Sequence, residues 1–107
     1  GVTAATDGAT RTLGFSEPMT LKGFTYAPPA DGAAVFRYTA EVSTDNGRTW
    51  SAVEGLTGEF SNIQNNPIPQ TVTFAAPFPA ATNLRLRATE LTTGSANTFP
   101  GTLIPLR

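Results

Sequence analysis

From Phe36 to Ser43 the chain alternates without a break. Phe36, Tyr38, Ala40 and Val42 fall on one side, and Arg37, Thr39, Glu41 and Ser43 on the other. Strand side chains point to opposite faces with a period of two, so this run is a strand with one apolar and one wet face. It leads straight into Ser43-Thr44-Asp45-Asn46-Gly47-Arg48-Thr49-Trp50. Asp-Asn-Gly joins side chains that bond their own backbone to residues that accept positive φ, which is the chemistry of a tight reversal. Trp50, the only tryptophan, opens the return strand, expected at about 49–54, and its ring can lie over the turn.

The flanking segments add further short strands. Residues 1–9 are small and polar, and read as a leading arm that ends in an Asp7-Gly8 turn. Thr10–Phe15 is weakly strand-like, Ser16–Met19 reads as a turn around Pro18, and Thr20–Tyr26 is a better strand. Within it Leu21 and either Gly23 or Phe24 compete for the core face, so Gly23 marks a bulge. Pro28 to Gly32 ends that strand. Residues 54–66 have no period and form a long polar loop. Pro67 and Pro69 flank Ile68 ahead of a strand at Gln70–Ala75, and Pro77 and Pro79 interrupt again. In Asn83–Glu90, Leu84, Leu86 and Ala88 face inward while Arg85, Arg87 and Thr89 face outward. Residues 92–97 read as loop, and Phe99–Leu106, broken by Pro100 and Pro105, as a last strand near an edge. Six or seven short strands at this spacing indicate an antiparallel sandwich or barrel, and no stretch has helical spacing.

The 107 residues suffice for one domain, 1–107, and not for two. With no histidine and no cysteine, the commonest general base, the thiolate nucleophile and the commonest metal ligands are missing together. A net charge of −1 from seven basic and eight acidic residues lacks the basic footprint of nucleic-acid binding. No apolar run approaches the roughly 20 residues that span a bilayer, and the first residues do not form a signal peptide. The eight acids are scattered, and six of them show how: Asp7, Asp31 and Asp45 sit in turns, Glu41 on a wet face, and Glu54 and Glu59 beside a loop. None stands among apolar neighbours that would raise its pKa, so no catalytic residue and no metal ligand is assigned.

Two constellations remain. Ser43, Asp45, Gly47, Thr49 and Trp50 match an Asp-box, Ser-x-Asp-x-Gly-x-Thr-Trp, in which the Ser and Asp side chains bond turn amides over the tryptophan. The motif staples a hairpin and carries no catalysis. It resembles what sialidase propellers repeat, and its single copy argues against a propeller. The loop Phe60-Ser61-Asn62-Ile63-Gln64-Asn65-Asn66 has the composition of a sugar site, with amides to bond hydroxyls beside an aromatic platform. Asn62, Gln64, Asn65, Asn66, Phe60 and Tyr26 are the candidate carbohydrate-binding residues. The competing reading is that the amides bond the loop's own backbone and that Tyr26 and Phe99 plug the ends of the core. Arg85 and Arg87 read as surface ion-pair or domain-contact residues.

Leu21–Tyr26, Tyr38–Trp50 and above all Gly58–Phe74, GEFSNIQNNPIPQTVTF, resemble the discoidin-like (coagulation-factor C-type) domains. The similarity extends over about residues 12–90 and is nearest to accessory modules at the C-terminal end of bacterial α-L-fucosidases. The resemblance implies a galactose-binding-like β-sandwich (jelly-roll) of seven to eight strands, non-catalytic and secreted or periplasmic. Its implied partners are the catalytic domain of a parent glycoside hydrolase and the terminal sugars of glycans. The alternative it implies is a carbohydrate-binding or cell-surface adhesion module independent of catalysis. Many members hold a structural calcium, but Phe99–Leu106 has no carboxylate to complete such a site, so no cofactor is expected. After Tyr26, Ala27-Pro28-Pro29 stands where sugar-binding members often carry an arginine.

Overall fold

The computed structural model describes all residues, Gly1–Arg107, as seven strands with no helix. They are β1 (Val2–Asp7), β2 (Thr10–Ala27), β3 (Val35–Ser43), β4 (Ser51–Ala52), β5 (Gln70–Leu91), β6 (Gly94–Ser95) and β7 (Thr102–Leu106). Every pairing is antiparallel. One half of β2 pairs with β1 and with the second half of β5, which continues to β3 and β4. The other half of β2, Gly23–Ala27, pairs with β7 on one side and, through Gly23–Tyr26, with the start of β5 on the other. The two long strands thus pass from one layer to the other, and the chain is an all-β antiparallel sandwich.

The bend is built from broken pairing. The β2–β5 register shifts between Gly14 and Met19, between Met19 and Leu21, and between Leu21 and Gly23. Pro18, Pro77 and Pro79 all lie in these gaps, where a missing N–H removes no ladder bond. The expected turn at Ser16–Met19 and the expected stop at Pro77 and Pro79 are therefore corrected: both segments stay within continuous strands. Gly23 does mark a bulge, and it lets Leu21 and Phe24 both be buried. A Cβ on Gly23 would stand 2.0 Å from the Val72 carbonyl oxygen, so only glycine permits the crossing.

Other expectations shift as well. The leading arm at 1–9 is strand β1, fully exposed and held to β2 through six residue pairs from Val2↔Phe15 to Asp7↔Thr10. Its small polar residues hide a strand because neither face is buried. The return strand at 49–54 shrinks to Ser51–Ala52, and Trp50 lies in the turn segment ahead of it. The 92–97 loop contains β6, a two-residue ribbon on Leu91 and Glu90. By contrast β3 occupies Val35–Ser43 and the second half of β5 buries Leu84, Leu86 and Ala88, as the alternation requires; β7 lies at an edge as its prolines require, but it is confined to Thr102–Leu106 rather than starting at Phe99.

The core follows from that alternation. Leu13, Leu84 and Val42 are cross-strand partners in one row of the first layer, and all three are buried. Across the layers, Phe24 of β2 meets Tyr38 of β3 edge to face at 5.7 Å, and within its own layer it meets Phe74 of β5 at 6.0 Å. Full burial of each such ring contributes roughly 1.5–3 kcal/mol, with about 0.5–1.5 kcal/mol more from favourable ring geometry. Arg11, an inward position near one rim, closes the seam between layers. Its guanidinium donates to the carbonyls of Phe99 at 2.8 Å and Gly101 at 2.9 Å and lies 4.9 Å over the Phe99 ring.

Candidate functional site

The two constellations singled out by sequence lie at opposite ends of β3. At the start of the strand, the 54–69 segment is laid along it by backbone bonds, Tyr38 N–H to Gly58 C=O and Phe60 N–H to Phe36 C=O. Phe60 and Ile63 drop into the core with 0% and 1% exposure. That pins the loop and turns Asn62, Gln64, Asn65 and Asn66 outward, where all four are exposed.

The structure corrects the aromatic half of the proposed sugar site. Phe60 stacks on Tyr26 at 4.7 Å and on Tyr38 at 4.6 Å, and neither Phe60 nor Tyr26 exposes any surface. The Tyr26 hydroxyl donates to the Pro100 carbonyl at 2.5 Å and accepts the Val35 N–H at 3.0 Å. Burial raises its pKa, opposed in part by the Val35 N–H and the Arg11 charge. Phe99, 5.9 Å from Tyr26, is buried too. These rings plug the end of the sandwich because an apolar loop residue gains more by entering the core than by lying open to water.

The amides divide. Asn62 takes positive φ, at 55°, and its carbonyl accepts the N–H groups of Asn65 and Asn66. The Asn65 side chain donates to Asn62 Oδ1 at 3.1 Å, and Gln70 Nε2 reaches the Ser61 carbonyl at 2.7 Å. Asn62, Asn65 and Gln70 thus shape the loop itself. Gln64 and Asn66 project into solvent. Next to them Thr57, Glu59, Ser61 and Asn62 line an open polar depression of about 340 Å³. This surface can exchange hydrogen bonds with hydroxyls, but it has no ring to lie under a sugar.

Glu59 leads to the nearest approach to a carboxylate pair. Arg37 bonds Glu90 at 2.8 Å and Glu59 at 3.4 Å. All three side chains are well exposed, and a guanidinium stands between the acids. Such a triad neither shields a proton nor leaves room for an attacking water in a dry cleft, so it lacks the apparatus of glycoside hydrolysis. Arg85 bonds Glu41 at 2.9 Å and stacks on Trp50 at 4.1 Å. Arg85 is therefore an ion-pair and packing residue of the sheet face.

At the other end of β3 the Asp-box is assembled. Ser43 Oγ donates to Asp45 Oδ1 at 2.8 Å and accepts the Gly47 N–H at 2.8 Å; Asp45 accepts the Thr49 N–H at 2.9 Å and the Thr49 hydroxyl at 2.6 Å. Asn46 and Gly47 carry the positive φ values, 61° and 83°, that the turn requires. Those donors, Thr49 first and then Ser43, hold the Asp45 carboxyl down at about 2, the wrong direction for a general acid. Sequence reasoning missed the second anchor of this hairpin. Buried Thr82 donates to the Ser43 carbonyl at 3.1 Å and accepts the Asn46 N–H at 2.9 Å. No pattern in the chain pairs residues so far apart.

Nowhere do three acidic side chains converge, so the residues present do not supply a carboxylate-built calcium site.

No protein-family model and no curated protein sequence matches the chain. Solved structures do. A glycoside hydrolase 29 family member from an unknown rumen bacterium is 29% identical with a TM-score of 0.81, over 98% of this chain and 18% of that one. A Bacteroides ovatus protein assigned as an alpha-L-fucosidase is 31% identical with a TM-score of 0.74, over 94% of this chain and 17% of that one. The F5/8 type C domain of a Bacteroides fragilis protein superposes with a TM-score of 0.67 at 13% identity, over 96% of this chain and 72% of that domain. This chain therefore spans less than a fifth of the two hydrolases, and by fold it is a discoidin-like, F5/8 type C β-sandwich similar to a segment within each of them.

Proposed function

We propose that this chain is a non-catalytic accessory β-sandwich of a glycoside hydrolase of the α-L-fucosidase type, packing against the catalytic domain of its parent enzyme. One observation carries the reading: the similarity at 29% and 31% identity runs through nearly all of this chain yet accounts for only 18% and 17% of the hydrolases. Chemistry in those proteins has ample room elsewhere. The exposed Arg37–Glu59–Glu90 triad and the depressed Asp45 supply no alternative centre here. A secreted or periplasmic location accompanies this role.

The finer part of the proposal is weak glycan contact through the 57–66 loop. Its supports are the outward Gln64 and Asn66 amides and the polar depression beside them. Without an aromatic floor, affinity for a single sugar is no tighter than about millimolar, an order of 4 kcal/mol. Sequencing the coding region on either side tests the first part: a hydrolase catalytic domain is expected, and a surface-adhesion protein without one overturns it. A glycan array comparing the chain with a Gln64→Ala/Asn66→Ala variant tests the second. Signal that the variant loses supports it, and signal indifferent to the variant rejects it.

A further inference from the structure

β1 closes one side of the first layer, and its outer edge is open. It pairs with β2 alone, and all six of its residues are exposed. In an antiparallel ladder alternate residues turn both backbone groups to the same neighbour. The Ser16 N–H donates to the Gly1 carbonyl at 3.0 Å, so in this register Thr3, Ala5 and Asp7 bond β2. The N–H and C=O groups of Val2, Ala4 and Thr6 therefore point away from the sheet, where no strand meets them.

Such a row is a template for another strand, and proteins blunt it with prolines, charges, bulges or short length. The other edges here carry those devices. β4 and β6 are two residues each, and β7 contains Pro105. The first half of β5 is bracketed by Pro69 and Pro77, and residues 52–54 lie beside Phe74–Ala76. β1 has no proline, no basic residue and no shift in register, and its one charge, Asp7, sits at its end.

The symmetry of the edge selects its occupant. Turned about a two-fold axis through Ala4, β1 is its own complement: Ala4 faces Ala4 of a second copy, Val2 faces Thr6, and Thr6 faces Val2. Every outward residue then forms a narrow pair, about six backbone bonds in all. Val2, 39% exposed, gains a β-branched neighbour in Thr6, a favoured cross-strand combination. Asp7 falls opposite Gly1, so no like charges meet.

We infer that β1 is a self-association surface: two copies pair β1 to β1 antiparallel, in the register centred on Ala4, and join their first layers into one continuous sheet. The two-fold contact consumes both open edges, so assembly stops at the dimer. A single ribbon of this length is smaller than the roughly 1,200 Å² at which standard interfaces begin, so the dimer is weak and exchanges readily. It is independent of the accessory role, and either can fail without the other.

The test is sedimentation equilibrium of the chain from about 20 μM to about 1 mM, the range in which so small an interface fills. The dimer fraction should rise with concentration, with no larger species. Ala4→Pro removes an outward N–H and leaves the β1–β2 bonds in place, because an edge proline is tolerated where its nitrogen faces solvent. It should weaken the dimer about tenfold or more, the worth of the two bonds of the central pair. Ala4→Lys sets two like charges opposite each other and should weaken it as well, with recovery at high salt. In a mixed-label sample, an isotope-filtered NOE should join Thr3 Hα to Ala5 Hα of the second copy, the close approach of a non-bonded pair. Unchanged amide shifts at Leu84 and Leu86 report that each variant is folded. A chain that stays monomeric throughout, a dimer indifferent to both substitutions, or growth beyond the dimer would overturn the assignment.

Discussion

Phe60 lies face to face with Tyr26, ring centroids 4.7 Å apart and planes 17° from parallel. The contact joins the longest loop to the second layer, and it makes Phe60 a structural anchor of the surface that carries the exposed amides. Phe60→Ala is expected to destabilise the fold by about 3–5 kcal/mol, the usual cost of removing a buried ring. Urea unfolding measures this directly. Gln64→Ala, which touches nothing in the core, should leave the midpoint unchanged.

Tyr26 also holds two backbone groups through its hydroxyl. Tyr26→Phe keeps the stack but strands the Val35 N–H and the Pro100 carbonyl, at a cost of about 1–3 kcal/mol for buried groups left unpaired. Thermal unfolding should fall by roughly 4–8 °C per kcal/mol for a domain this size. The amide of Val35 should then lose its exchange protection ahead of the rest of β3.

The hairpin has a defined pH response. Asp45 drops from 3.8 to about 2 because the Thr49 hydroxyl and amide, then Ser43, bond its ionised form. A native pKa below the unfolded value adds stability that is complete above about pH 4 and is lost as pH falls through about 2. Carboxyl NMR titration should place Asp45 near 2, with amide protection at Gly47 and Thr49 fading over the same interval. Asp45→Asn should remove that acid dependence.

Tyr38 gives the opposite limit. Burial pushes its phenol up to about 12, so the neutral form is the one the fold favours. That contribution is complete below pH 10 and is lost as pH rises through about 12. Absorbance titration of the phenolate should show Tyr38 ionising only with the alkaline unfolding of the domain, and Tyr38→Phe should move that transition upward.

Gly23→Ala tests the sheet crossing. Its Cβ would meet the Val72 carbonyl oxygen at 2.0 Å and the Val72 and Thr73 backbone at 3.0 Å. Backbone cannot yield as a side-chain tip can, so the expected loss is about 3 kcal/mol or more. Equilibrium unfolding compared with Gly32→Ala, where nothing lies near, separates the clash from a generic glycine effect.

Strict alternation made β3 and the second half of β5 legible in the sequence, because a strand buried on one face writes that face into every second residue. β1 was illegible for the converse reason: all six of its residues are exposed. Pro18, Pro77 and Pro79 misled because proline forbids a ladder bond, and the two long strands bend where no such bond exists. The Asp-box could be read because its donors and acceptors lie within a few residues of each other. The burial of Phe60, the Thr82 tie and the Arg11 clamp depend on contacts 36 to 90 residues apart or on which side of a loop meets the core. Local sequence does not encode those. The loop amides lie at the surface, as their polarity requires, whereas Phe60 beside them is buried.

In the proposed function this sandwich is a partner to catalysis and performs none. Incubating the purified chain with a panel of 4-nitrophenyl glycosides, the α-L-fucoside among them, tests that claim most directly. No nitrophenol release above buffer is the predicted result. Turnover that disappears in Glu59→Gln or Glu90→Gln, the two acids gathered around Arg37, would contradict it.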